Sequence, residues 1–143
     1  MSTLTLTPRL VRVLPGGITS TRVMYEASKV GRIVYVGTDS LMREAAGDTN
    51  TLATGQLGLI VSGGRADPDG NVAAGEAVTV LWFGRVNLGV TLVSTTQYYL
   101  ADTTSTVKGL FGDAAGTVSR RVAKPEDETG IIFFNPQDVA TAS

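Results

Sequence analysis

The sequence predicts an all-β chain: a single β-sandwich or barrel-like domain of about ten short strands with an extended N-terminal arm. Three observations carry that expectation. Thr occurs 19 times and Gly 17 times in 143 residues; Thr favours a pleated surface, while Gly interrupts strands and turns corners. Short apolar runs recur at close intervals, parted by clusters of Gly, Pro, Asp and Asn. Helical periodicity is scarce. Its best candidate, Ser40–Ala46 (SLMREAA), is too short to hold a helix alone. It reads equally well as a strand, with Met42 and Glu44 on one side and Leu41 and Arg43 alternating across from them.

The elements follow in order. Residues 1–17 are expected as an arm and 18–143 as the domain. Met1–Thr7 (MSTLTLT) alternates polar and apolar residues until Pro8 interrupts it, and Pro is confined to the edges or ends of strands. Leu4–Leu6 and Leu10–Leu14 flank that Pro, and the segment closes at Pro15, Gly16 and Gly17. Thr19–Ala27, Arg32–Val36 and Leu41–Ala45 come next. Leu57–Val61 ends at Ser62, Gly63 and Gly64. Val78–Leu88 is the longest apolar stretch, broken by Gly84. Tyr98–Ala101, Val107–Phe111, Thr117–Val122 and Ile131–Phe134 complete the set.

Two strands lack in/out alternation. Val78–Phe83 (VTVLWF) becomes apolar on both faces from Val80 onward, and Ile131–Phe134 (IIFF) does the same. A strand apolar on both faces is covered on both. The cover is either the chain itself, through a central position or a folded-over loop, or a second subunit. Composition leaves both open, so Trp82 and Phe83 are expected in the core or at an oligomer interface.

Composition narrows the chemistry. With 43% hydrophobic residues and a formal charge of −1, wholesale disorder is excluded and no global positive field exists to hold nucleic acid. There is no Cys and no His, which removes disulfides, thiolate nucleophiles, the usual general base and the commonest transition-metal ligand. Met1–Pro8 has neither the basic nor the apolar region of a secretory signal, and no 18-residue apolar run is present.

The remaining constellations read as turns. Asp67–Asn71 (DPDGN) has alternating oxygen donors, but its Gly falls one place early for a calcium loop and residue 78 is Val where a bidentate Glu is needed. Pro68-Asp69-Gly70 sets up a tight turn unaided. Gly16-Gly17 and Gly63-Gly64 lack the Gly-Lys-Ser/Thr ending of a phosphate loop. No nucleophile elbow, Ser-x-x-Lys motif or convincing carboxylate pair is present. Tyr35, Trp82, Phe83, Tyr98 and Tyr99 are not interleaved with cations as stacking on single-stranded nucleic acid requires. The expectation is no enzyme, no cofactor, no metal, no small-molecule substrate, no nucleic acid and no membrane.

A resemblance emerges from the strand ends. Gly31–Val36 (GRIVYV), Leu41–Ala45 (LMREA), Leu57–Gly64 (LGLIVSGG), Val78–Val86 (VTVLWFGRV), Gln97–Asp102 (QYYLAD), Arg121–Ala123 (RVA) and Ile131–Gln137 (IIFFNPQ) follow one another. This succession, over about residues 30–137, resembles a small β-domain of tailed-phage structural proteins, found in capsid decoration (cement) proteins and in fibre or spike modules. The chain departs from that pattern at Pro125–Gly130, an acidic loop where many such domains carry an apolar strand.

The resemblance implies a structural virion protein on the outer capsid surface, a homotrimer bridging major capsid protein subunits without catalysis. A chain made of little beyond the module fits decoration better than a fibre. Leu4, Leu6, Arg9, Leu10 and Arg12 are the expected capsid contacts, because an alternating, Pro-limited arm can add to a neighbour's sheet edge; a frayed terminus or an ordinary first strand is the plainer alternative. Residues 1–35 are also net positive, with Glu26 alone opposing Arg9, Arg12, Arg22, Lys29 and Arg32. Glu126-Asp127-Glu128 lies far off in sequence and could face them between copies. The rival reading is a host-recognition or carbohydrate-binding module whose exposed Tyr and Trp form sugar platforms.

Overall fold

The computed structural model describes residues 3–4, 6–45, 56–63, 69–92, 95–101, 108–113, 120–126 and 130–136. Asp67, Pro68, Val107, Asp127 and Glu128 lie outside them, as do Ala46 and residues 117–119. The protein is all-β, with 53% of the described residues in strands. Twelve strands occur among them: β1 (Arg12–Val13), β2 (Ile18–Val23), β3 (Ser28–Lys29), β4 (Ile33–Val36), β5 (Met42–Glu44) and β6 (Leu57–Gly63), then β7 (Asn71–Val72), β8 (Ala77–Asn87), β9 (Tyr98–Leu100), β10 (Phe111–Gly112), β11 (Arg121–Pro125) and β12 (Ile131–Phe134). Within the segment that reads as either helix or strand, Met42–Glu44 form a strand, with Met42 buried in the core.

Eight antiparallel strands form a curled sheet, a half-barrel, in the order β10-β9-β11-β12-β8-β6-β4-β5. β8 organises it. On one edge β8 pairs first with β6 (Ile60↔Val80, Leu59↔Leu81) and then with β12 (Phe134↔Gly84 to Ile131↔Asn87). On its other edge lie β2 (Val23↔Ala77 to Ile18↔Phe83) and β1 (Val13↔Val86, Arg12↔Asn87). A single 11-residue strand is therefore shared by two half-sheets.

The change of half-sheet happens at Trp82–Gly84. Ile18 faces Phe83 and Thr19 faces Leu81, so Trp82 is an extra residue in β8, and such a bulge bends its strand. Gly84 follows with φ +139°, a region in which a side chain is strained. A Cβ on Gly84 would stand 2.6 Å from the Gly17 Cα, so two glycine backbones meet where the strand turns.

The missing alternation now has a cause. Val80 and Leu81 are both fully buried, as are Ile33 with Val34 and Leu59 with Ile60. The chain supplies this cover itself. The β3–β7 ribbon brings Val72 and Val30 over Gly63, and the Ile33 N–H donates to the Gly109 carbonyl at 2.8 Å. Ile132 and Phe134 are fully buried, with Phe134 edge-on to buried Phe111 at 6.4 Å. The β11–β12 hairpin closes despite the acidic loop, through Pro125↔Ile132 and a Glu126 N–H donated to the Ile131 carbonyl at 3.0 Å.

The amino-terminal segment differs from an extended arm. Thr3 bridges Gly112, and the Leu4 N–H donates to the Phe111 carbonyl at 2.9 Å, so these residues extend the chain's own sheet beyond β10. Pro8–Leu10 form a 3-10 turn, where a strand was expected to begin at Leu10. From there β1 joins β8. Residues 3–4 and 6–13 thus strap the half-barrel from its β10 edge to its β8 strand.

Candidate functional site

The strap and β2 form one line along β8, and this line is the candidate site. All six large hydrophobic residues exposed among the described residues lie on it or against it: Leu10, Val13, Ile18, Val23, Tyr25 and Phe83. Phe83 belongs to β8, but its Cα partner is Ile18. A protein surface carries scattered apolar residues without consequence, whereas a contiguous apolar strip marks a contact. The concentration on one edge is the informative feature.

The expected contact residues divide into two groups here. Leu4 and Leu6 are half-buried and pack against the chain's own core. Leu10 is 44% exposed and Arg12 is exposed, and Arg9 sits within the 3-10 turn that ends at Leu10. Leu10, Arg12 and Val13 are therefore the outward residues of the arm, with Val11 buried among them.

Trp82 and Phe83 also separate. Trp82 is half-buried, packs on the core and donates from Nε1 to Ser20 Oγ at 2.7 Å. Its ring lies within 3.1 Å of where a Gly58 Cβ would stand, so the glycine makes room for it on β6. The Arg22 guanidinium lies 5.3 Å from the centre of that ring, within cation–π range. Phe83 is 40% exposed and meets Phe133 edge to face at 4.9 Å. Trp82 serves the core, while Phe83 presents a face outward.

The backbone of β2 completes the geometry. The Met24 N–H donates to Glu76, on the β8 side, and the Tyr25 N–H donates to Met42, on the opposite side. Alternation along an antiparallel strand then turns Ser20 and Arg22 towards β8, and Thr19, Thr21 and Val23 outward. On that outward side β5 closes on the end of β2 through the parallel Met24↔Met42 bridge, and no other strand pairs with β2 there among the described residues. Sequence reasoning placed a strand at Thr19–Ala27 but not its position at an edge. Ile18, Val23 and Tyr25 were missed because a periodicity of two does not say which strand lies outermost.

Beyond the edge, two ion pairs stand out, Arg32–Glu44 and Arg43–Asp39. Glu44 Oε2 accepts from Ser28 Oγ at 2.8 Å and from Arg32 at 2.9 Å. Asp39 takes two bonds from Arg43, at 2.7 and 3.0 Å, and the guanidinium rests 3.9 Å from the Tyr25 ring centre. Those bonds, with one from the Leu41 N–H, hold the Asp39 carboxyl down at about 2. A cleft of about 270 Å³ under the strap, between Leu4, Leu6, Pro8, Val30 and Phe111, has no Asp or Glu in its lining. Among the described residues no three metal-ligating side chains converge, and Asp69-Gly70 is a turn in which Gly70 adopts φ +73°. The arrangement offers a surface for binding. No family model, curated protein or solved structure matches the chain.

Proposed function

We propose that this protein is a structural, non-enzymatic subunit of a tailed-phage virion, bound to the outer surface of the capsid and reinforcing it by bridging major capsid protein subunits. The observation that supports an assembly role is the apolar β1–β2 edge, which gathers every exposed large hydrophobic residue described. The virion setting rests on the resemblance of residues 30–137. A reinforcing subunit needs a stiff β-scaffold and a surface complementary to the shell, and many copies make modest single contacts sufficient.

Leu10 and Arg12 are the shell contacts in this reading. Purified protein should reoccupy capsids stripped of it, saturably and in high copy number. Leu10→Ser combined with Arg12→Glu should lower that occupancy at least tenfold while circular dichroism and melting stay near wild type. Full occupancy by the double variant would refute the contact; a wild-type protein that ignores capsids would refute the role.

One observation favours recognition of sugars instead. Tyr25 is 54% exposed and stands over Arg43, which Asp39 holds in a bidentate pair, an aromatic surface beside polar groups. Binding of glycans that Tyr25→Ala abolishes, without capsid binding, would move the function there.

A further inference from the structure

We propose that the cleft under the strap is a binding site for a small anionic amphiphile, an aliphatic monocarboxylate whose tail lies between apolar walls and whose charge meets Lys29 and Arg32. The proposal goes beyond the shell-binding role and uses neither Leu10 nor Arg12.

Backbone pairing holds the strap at its two ends. Thr3 and Leu4 are joined to β10, and Arg12 and Val13 to β8. Between those ends the contacts are made by side chains. Leu6 rests on Gly31, where a Cβ would stand 3.0 Å from its Cδ1, and Pro8 rests on Gly70. The hollow of about 270 Å³ beside them has Leu4, Leu6, Pro8, Val30 and Phe111 among its walls. Small-molecule sites are of this kind, mostly apolar with a few polar groups that fix orientation. The volume lies at the small end of such sites, so the ligand is small.

The charged rim has a local cause. Lys29, Val30, Gly31 and Arg32 form a turn closed by the Arg32 N–H, which donates to the Lys29 carbonyl at 3.2 Å. Gly31 takes φ +95° in the third position, where a turn of this hand needs glycine. The turn brings its first and last residues together, and both cations border the cleft.

The charge count selects a monoanion. The described lining holds no Asp or Glu. Arg32 is balanced by Glu44, but its bonds to Glu44 and to the Lys108 carbonyl both leave from Nη1, so the rest of its fork can still donate. Lys29 belongs to none of the described ion pairs. The rim therefore carries one cation beyond what Glu44 balances. A carboxylate suits both an ammonium and a guanidinium fork, and an aliphatic tail removes the apolar walls from water. An inorganic anion would leave those walls wet, and an alkylammonium would meet like charge.

Calorimetric titration of the full chain with butanoate, hexanoate, 1-hexanol and hexylammonium tests the site. Each methylene added between butanoate and hexanoate should tighten binding about fourfold. Hexanoate should bind roughly fivefold more tightly than 1-hexanol, and hexylammonium more weakly than either. Lys29→Gln should erase the preference for hexanoate and leave 1-hexanol binding as it was. Leu6→Trp fills the hollow and should abolish binding of all four. Should that variant misfold, the amide spectrum of the wild-type protein locates the ligand, because Gly31 and Phe111 should shift as hexanoate is added. The proposal is overturned by the absence of saturable hexanoate binding, by equal affinity for hexanoate and 1-hexanol, or by shifts that leave Gly31 and Phe111 unmoved. Shell occupancy is read separately, since Leu10 and Arg12 lie outside the cleft.

Discussion

Asp39 titrates well below an ordinary carboxylate. Its carboxyl is held at about 2, below the ordinary 3.8, by Arg43 and the Leu41 N–H. A depressed folded value means that the ionised form is favoured by folding. The contribution is fully present above the unfolded value near 3.8 and is lost as pH falls towards 2. The group is exposed, so the effect on stability is small. NMR titration should show Asp39 ionised throughout the range in which other exposed carboxylates protonate, and Arg43→Gln should return it towards the ordinary value. The aromatic residues give a second contrast. Phe83→Ala removes an exposed ring and one edge-to-face contact, for about 1 kcal/mol; Phe134→Ala empties a fully buried site and should cost roughly 3–5 kcal/mol. Urea titration of both variants checks the ranking. Comparable losses would mean that Phe83 is as much a core residue as Phe134. Nothing in the dipeptide Trp82-Phe83 told these roles apart, since both residues are large, apolar and adjacent. The bulge at Trp82 decides which of them turns inward.

Among the elements, β8 carries the most. It is the one strand shared by both half-sheets, and its corner depends on the close approach of Gly84 to Gly17. Gly84→Ala introduces a Cβ at a strained φ against the Gly17 backbone. The expected loss is about 2 kcal/mol or more, read as a lower urea midpoint with an unchanged slope. A neutral Gly84→Ala would mean that the strand does not turn there. Most strands were legible in the sequence because apolar runs and Gly or Pro boundaries are local features: Arg32–Val36, Leu57–Val61, Val78–Leu88 and Ile131–Phe134 all lie within two residues of the observed limits. The two-residue strands β3 and β7 were not. They pair with each other rather than with the main sheet, and two residues are too few to display a period.

At the scale of the whole molecule, the strap changes how the arm can be tested. Val11 is buried and Leu4 and Leu6 are half-buried against the core. Deleting residues 1–12 should therefore cost about 4 kcal/mol of burial, a large part of the stability of an ordinary domain. The truncated chain is expected to melt well below the full one, and a thermal scan checks this. An unaffected melting temperature would show that the segment is an arm with little hold on the body. Loss of shell binding in the deletion would then mix unfolding with lost contact, so Leu10→Ser and Arg12→Glu, which alter exposed side chains, are the cleaner probes.

The sequence by itself determined the class of fold, most of the strands, and the absence of thiol and imidazole side chains, because these follow from composition and from periods a few residues long. It also marked Val78–Phe83 as covered on both faces. Tertiary structure alone decided what covers it, which strand stands at the edge, and where residues 3–4 and 6–13 lie. Those are matters of long-range pairing: Thr3 meets Gly112 and Ile18 meets Phe83 through contacts that no local pattern encodes. An edge strand and a central strand can share the same β-branched sequence and differ only in the number of neighbours.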